Sequence, residues 1–175
     1  MTDLPRAERY AYLAAQQALW LLLVWLAALG HTLWPAAIAG AAVLAFLWRL
    51  PTARRRVAVL IAVGLACGIA VDGSLANLGL VRYAGEMLAP GVPPLWILAL
   101  WALFAAALVA APGLTNPWIA GLAIGAPGGA LAYAAARAIG AIALELSALW
   151  VVAAFYALAV PILVLTANRL LERQR

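Results

Sequence analysis

The sequence predicts an all-α fold, one transmembrane domain over residues 1–175 that is a bundle of about six transmembrane helices. Its 175 residues are 69% hydrophobic and only 10% charged, whereas water-soluble domains contain roughly 25% charged residues. Whole helical lengths such as Leu95–Ala111 carry no charge, although a helix at the surface of a soluble protein keeps a polar face. The apolar segments also follow one another without a soluble module or a long linker between them.

Six apolar segments come close to the length that a membrane-spanning helix needs. A helix crosses the ~30 Å hydrocarbon layer in about 20 residues, and turn-forming residues separate one segment from the next. The predicted spans are Tyr10–Leu29, Leu33–Trp48, Val57–Val81, Leu95–Ala111, Pro117–Arg137 and Leu146–Ala167.

The first three spans are separated by a Gly-His-Thr turn and a Pro-Thr pair. The apolar run of Tyr10–Leu29 exceeds the 7–15 residues of a signal-peptide core, which favours a retained helix over a cleaved signal peptide. Leu33–Trp48 is short and has Pro35 in its first turn, where a missing amide hydrogen breaks no helical bond. Val57–Val81 is almost wholly apolar but contains Asp72.

The last three spans are bounded by proline-rich and glycine-rich breaks. Leu95–Ala111 follows a Pro-Gly-Val-Pro-Pro run, and Pro117–Arg137 begins at an Asn-Pro pair. Pro127 lies inside the fifth span, where it should kink or loosen the helix and free a carbonyl group. Broken helices of this kind are typical of transporters, and proline kinks also occur in helices that only support a fold.

The arginines predict the orientation. All eleven basic residues are arginines, and most lie in short clusters outside the apolar segments, where they contact anionic lipid headgroups rather than nucleic acid. With six spans, nine of them lie on the side of the two termini, and only Arg82 and Arg137 lie on the other side. The positive-inside rule therefore places both termini in the cytoplasm, with membrane lipids as partners and no nucleic acid.

Two stripes of small residues at four-residue spacing predict close helix packing. Residues four apart lie on one face of a helix, and glycines at that spacing let two membrane helices approach each other. Each stripe leads to an ionisable residue, Asp72 in the third span and Arg137 in the fifth. The predicted packing glycines are Gly64, Gly68, Gly121, Gly125 and Gly129.

Asp72 is the centre of the candidate ligand-binding site. A charged group at membrane depth costs at least ~2.5 kcal/mol on insertion scales, so it usually faces the protein interior and has a partner. We expect Arg137 to be its cation and the other residues of the site to supply hydrogen bonds or walls. An ion pair that only fixes helix register, and an Arg137 that only extends to the headgroups, remain alternatives. The predicted set is Asp72, Arg137, Tyr83, Tyr133, Asn77 and Trp101.

Other polar residues give no catalytic or metal-binding pattern. Arg82, Glu86, Glu145 and His31 fall in predicted outer loops and are interpreted as interface groups. One histidine without a suitably spaced Cys, Asp or Glu makes a metal site improbable. The chain has no lysine and none of the common catalytic motifs, so we predict no catalytic residue and no cofactor, and an enzyme is the third hypothesis.

Three stretches carry a family resemblance: Gly64–Gly85, Pro93–Ala105 and Gly125–Gly140. Together they resemble a family of small bacterial inner-membrane proteins with the domain of unknown function 2878. The resemblance implies a location in the bacterial cytoplasmic membrane and a link to lipid metabolism, with a membrane-associated lipid-modifying enzyme as a possible partner. The positions that match the family pattern are Asp72, Gly79, Tyr83, Pro94, Trp96, Trp101, Gly128, Tyr133 and Arg137.

The leading functional hypothesis is binding or translocation of a small amphiphilic or lipid-like ligand at a polar site in the outer half of the bundle. The alternative is a non-catalytic membrane scaffold for lipid-modifying enzymes. A cavity that reaches Asp72 would favour the first hypothesis, whereas a close-packed bundle with Asp72 and Arg137 joined would favour the second.

Overall fold

A computed structural model describes residues 6–49, 53–109 and 116–172. Within those ranges the chain forms six helices, as predicted, and two short strands that were not predicted. The elements are α1 Arg6–Ala28, α2 Leu33–Arg49, α3 Arg54–Asn77, β1 Val81–Tyr83, α4 Leu95–Leu108, α5 Pro117–Ile139, β2 Ile142–Leu144 and α6 Ala148–Glu172.

Four of the helices are long and apolar enough to cross a membrane, which makes the chain a membrane protein by helix length and composition. They are α1 from Tyr10 onward, α3, α5 and α6. The other two are shorter, because α2 has 17 residues and α4 has 14. The predicted fourth span ends at Ala111, and that end lies outside the described residues.

The helices pack around one main apolar core. α4 lies against α2 and α3, α5 lies against α6, and α6 also contacts α3. Leu60, Leu75, Val152 and Leu163 are fully enclosed where these helices meet. Many large apolar side chains, Trp150 among them, are instead exposed on the outside of the bundle, as a surface that faces lipid requires.

A π-helical turn lies inside α5. Residues Ala120–Gly125 form it, and the Ala126 amide donates to the Gly121 carbonyl five residues earlier. Pro127 follows directly and has no amide hydrogen for the regular bond to the residue four positions before it. The loosened helix that the sequence predicts around Pro127 is therefore present, as a single turn of wider hydrogen-bond spacing.

The predicted third span extends too far at its C-terminal end, because α3 ends at Asn77 and Val81 belongs to a strand. Gly79 has a φ of 68°, and its amide donates to Ala76 while the Leu80 amide donates to Leu75. This is the Schellman pattern, in which a glycine in the left-handed region ends a helix. α5 ends in the same way at Gly140.

Both helix ends lead directly into the two strands, which pair antiparallel. Val81 lies opposite Leu144, and Tyr83 lies opposite Ile142. Because side chains alternate along a strand, these residues face the bundle while Arg82 is exposed. The strand pair crosses the end of the bundle and directs Tyr83 toward α3.

Candidate functional site

The carboxyl group of Asp72 is buried and accepts three hydrogen bonds from side chains. Only 1% of the residue is exposed. Trp101 Nε1 donates to Oδ2 at 2.6 Å, and the Tyr83 hydroxyl donates to Oδ1 at 2.8 Å. The Tyr133 hydroxyl also donates to Oδ1. A carboxylate that only accepts hydrogen bonds is the ionised form, so this set of donors fits a charged Asp72.

Each donor comes from a different element. Tyr83 lies on β1, Trp101 on α4 and Tyr133 on α5. Asp72 therefore joins three parts of the chain that are far apart in the sequence, and the strand pair is what brings Tyr83 into reach.

Tyr156 on α6 completes an aromatic wall beside the carboxylate. Its ring stacks on that of Trp101 with centroids 5.2 Å apart, and it meets the ring of Tyr133 edge to face at 5.9 Å. Such arrangements are the favourable ones for aromatic pairs. Tyr156 was absent from the predicted site, because nothing in its local sequence distinguishes it from a packing residue.

The predicted pairing of Asp72 with Arg137 is wrong. Arg137 is exposed, and among the described residues the side chains that interact with the Asp72 carboxyl group are those of Tyr83, Trp101 and Tyr133. Tyr133 already occupies the place that we assigned to Arg137. The arginine lies one turn, about 6 Å, farther along α5, in the last turn of that helix.

Asn77 also lies away from the carboxylate, as the last residue of α3. It is exposed, and its amide nitrogen would lie 3.0 Å from a Cβ atom placed on Gly91. It faces the loop that follows β1 rather than Asp72, so the predicted hydrogen bond between Asn77 and the site is not formed.

The five predicted packing glycines all lie where a neighbouring helix comes close. A Cβ atom on Gly64 would lie 2.7 Å from the Ala105 Cβ, and one on Gly68 would overlap the Trp101 ring. The other three glycines lie in the same way against α6. Gly121 lies against Ala157 and Pro161, and Gly125 lies against Tyr156 and Val160. Gly129 lies against the Tyr156 ring.

A cavity of about 490 Å³ reaches Asp72 from the side of the bundle. Its wall is mostly apolar and aromatic, and its polar end consists of Asp72, Tyr83 and Tyr133. The wall also includes the exposed residues Gln17 of α1 and Leu131 of α5. The cavity therefore opens between α1 and α5, on a surface that faces lipid if these helices cross the membrane.

The electrostatics of the polar end favour a neutral Tyr83 phenol beside the carboxyl group. Burial, followed by the nearby charge of Asp72, raises the pKa of the Tyr83 hydroxyl above its ordinary value. Tyr83 therefore keeps its proton and shares it with Asp72. Within the described residues no group of three His, Cys, Asp or Glu side chains is placed to hold a metal ion.

The polar residues of the predicted outer loops do not join this site. Arg82, Glu86, Glu145 and His31 are all exposed, and the partner of Glu145 is the Ser147 hydroxyl at 3.5 Å.

Trp96 and two glutamines lie at the site but outside the predicted ligand-binding set. Trp96 is 1% exposed and donates its Nε1 proton to the Ala84 carbonyl at 2.8 Å, which attaches α4 to the loop after β1. Gln16 and Gln17 line the cavity from α1. They are the two amide side chains of an otherwise apolar span. Their position could have indicated the cavity from the sequence, because polar residues inside a membrane segment tend to face a cavity or a partner.

Comparison with known proteins gives a family but no activity. No curated protein and no solved structure matches the chain. The family model described as "Protein of unknown function (DUF2878)" matches residues 10–162. That match includes Asp72, its three side-chain donors and every described residue of the cavity wall, and it agrees with the resemblance in the sequence. The chain is a member of the DUF2878 family.

Proposed function

We propose that the protein binds a small amphiphile in the cavity beside Asp72. The apolar part of the ligand lies between α1, α4 and α5, and its polar end contacts Tyr83 and Tyr133. The cavity itself carries the proposal, because it joins a mostly apolar wall to the polar side chains of Asp72, Tyr83 and Tyr133.

The size and chemistry of the cavity support this function. Small-molecule sites usually enclose about 300–1,000 Å³, have mostly apolar walls and contain a few polar groups that fix the orientation of the ligand. The cavity here encloses about 490 Å³. The opening between α1 and α5 supports access from the lipid phase, so a membrane lipid or a related single-chain amphiphile is the proposed class of ligand.

The location of the protein and its orientation in the membrane are part of the same proposal. We place the protein in the bacterial inner membrane with both termini in the cytoplasm, which puts the polar end of the cavity in the outer half of the bilayer. The alternative of a scaffold for lipid-modifying enzymes needs no cavity, so blocking the cavity separates the two functions.

Gly128 provides the test. It lines the cavity, and a Cβ atom at this position would meet no atom within 4 Å. Gly128→Phe should therefore fill the cavity without disturbing the helix. Gly40→Phe is the matched control, because Gly40 on α2 has the same open surroundings and is outside the cavity.

The measurement is native mass spectrometry of the purified proteins, titrated with tetradecanol. We expect the wild type and Gly40→Phe to bind one molecule with equal affinity, and Gly128→Phe to bind at least about tenfold more weakly, a loss of roughly 1.4 kcal/mol. Equal binding by Gly128→Phe and the control, or no saturable binding of either tetradecanol or tetradecylamine by the wild type, would overturn the proposal.

A further inference from the structure

The polar end of the cavity offers hydrogen-bond acceptors. The hydroxyl protons of Tyr83 and Tyr133 are both directed to Asp72, and so is the indole proton of Trp101. A phenol that donates its only proton inward can present only lone pairs to a ligand. The group that meets these two oxygens must therefore be a donor.

The same end holds the one acidic residue of the described wall, Asp72, and no cationic side chain lies beside it. Among the described residues that line the cavity there is no arginine, lysine or histidine, and the groups that interact with Asp72 are neutral donors. Removing a charge from water without an opposite charge is costly, even when hydrogen bonds satisfy its oxygens. A positively charged group in the cavity would offset that cost.

Aromatic rings surround the place where such a group would lie. Trp96, Trp101, Tyr133 and Tyr156 all line the cavity, and the rings of Trp101 and Tyr133 each contact that of Tyr156. Aromatic faces attract organic cations, and they do so more strongly where water is excluded. A cluster of rings beside an unpaired carboxylate is the usual chemistry of ammonium recognition.

We infer that the amphiphile carries a cationic head, a primary to quaternary ammonium group, and that amphiphiles with carboxylate or phosphate heads are excluded. The inference rests on the proposed function, because it specifies the head of the ligand that the cavity binds. The ammonium lies against the phenol oxygens and the aromatic faces, with Asp72 behind them as the source of the negative potential.

A series of ligands with one chain and different heads tests this selectivity. The wild-type protein, in micelles of a non-ionic detergent without an ammonium group, is titrated with tetradecyltrimethylammonium, tetradecylamine, tetradecanol and tetradecanoate, with protein-free micelles as the control for partitioning. Saturable binding is read from the tryptophan fluorescence. We expect both cations to bind at least about tenfold more tightly than the alcohol, and the carboxylate to bind more weakly than the alcohol. Tetramethylammonium is included to show what the head contributes without the chain.

The outcomes separate this inference from the proposed function. Binding of the alcohol or the carboxylate as tightly as the amine overturns the cationic head but leaves amphiphile binding intact. Binding of tetramethylammonium as tightly as the long-chain cation overturns the amphiphile and keeps cation recognition. Absence of saturable binding by every member overturns both.

A variant measures the part played by the charge. Asp72→Asn keeps the size of the side chain and removes its charge, so the preference for tetradecylamine over tetradecanol should fall to within about twofold. An unchanged preference in a folded Asp72→Asn protein would show that the charge does not select the head. If that variant does not fold, the wild-type series alone still decides the inference.

Discussion

The backbone of Gly68 lies directly beneath the indole ring of Trp101. A Cβ atom at position 68 would lie 2.5 Å from the Cδ1 atom of that ring. Two carbon atoms that are not bonded to each other cannot approach so closely. The same ring donates the hydrogen bond to Asp72 one turn farther along α3. The missing side chain at position 68 is therefore what allows the indole to reach the carboxylate.

Gly68→Ala should consequently weaken both the packing and the hydrogen bond. Overpacking of a tight core costs about 1–3 kcal/mol, and we expect the free energy of unfolding in detergent to fall by about 2 kcal/mol. Gly40→Ala is the control, because its surroundings are open and alanine is the better helix former. A Gly68→Ala protein as stable as this control would contradict the close contact with Trp101.

The carboxylate of Asp72 should couple energetically to its donors. Tyr83→Phe removes one hydrogen bond to a charged group, which is worth about 1.5–3 kcal/mol. In an Asp72→Asn background the same change should cost about 0.5–1.5 kcal/mol, because the amide oxygen still accepts a hydrogen bond but carries no charge. A double-mutant cycle on the unfolding free energy measures the difference. Equal costs in the two backgrounds would mean that Tyr83 stabilises the protein independently of Asp72.

Much of this site could be predicted from the sequence because its signals are local. A carboxylate inside an apolar span must face the interior, and glycines four residues apart mark a face that packs closely. Both arguments need only the composition of α3 and the period of a helix. They place Asp72, Gly64 and Gly68 where the structure has them.

The partners of Asp72 were less predictable because they depend on tertiary geometry. Tyr133 and Arg137 lie on one stripe of α5, but each step of four residues rotates by about 40° and advances by about 6 Å. Choosing between them requires the depth at which α5 packs, which the sequence does not contain. Tyr83 reaches Asp72 only because β1 pairs with a strand some sixty positions later, and three-residue strands leave no periodic signal.

We expect the protein to lose stability in alkaline solution, because the stabilising contribution of the Tyr83 hydroxyl is lost there. Its folded pKa is raised above the ordinary 10.0 by burial and by the charge of Asp72. A raised pKa means that Tyr83 stabilises the fold below about pH 10, and that this contribution is lost above it, as the unfolded chain ionises. The loss is about 1.4 kcal/mol per pH unit until the folded pKa is reached.

Tyr83→Phe isolates this effect. The stability difference between the wild type and Tyr83→Phe should shrink between about pH 8 and about pH 11, because the variant has no phenol to ionise at this position. The unfolding free energy in detergent is measured for both proteins at each pH. A difference that stays constant or grows with pH would contradict the raised pKa.

The orientation in the membrane can be tested with single cysteines. The native Cys67 is buried within α3, so it should react little with a membrane-impermeant maleimide in intact cells. Ala143 is exposed on β2, and Arg55 is exposed at the start of α3, so the two mark opposite ends of the bundle. The arginine count predicts that the strand pair lies outside the cytoplasm and that Arg55 lies in the cytoplasm. Ala143→Cys should therefore be labelled in intact cells, and Arg55→Cys only after permeabilisation.

The reverse labelling would place Asp72 in the inner half of the bilayer and turn the cavity toward the cytoplasm. Ligands would then reach the polar end of the site from the inner leaflet. Wild-type protein with Cys67 alone serves as the background control. Replacing Arg55 still leaves eight arginines on the predicted inner side, so the substitution should not itself invert the protein. Labelling of both cysteines in intact cells would mean that α3 does not cross the membrane, or that the protein inserts in both orientations.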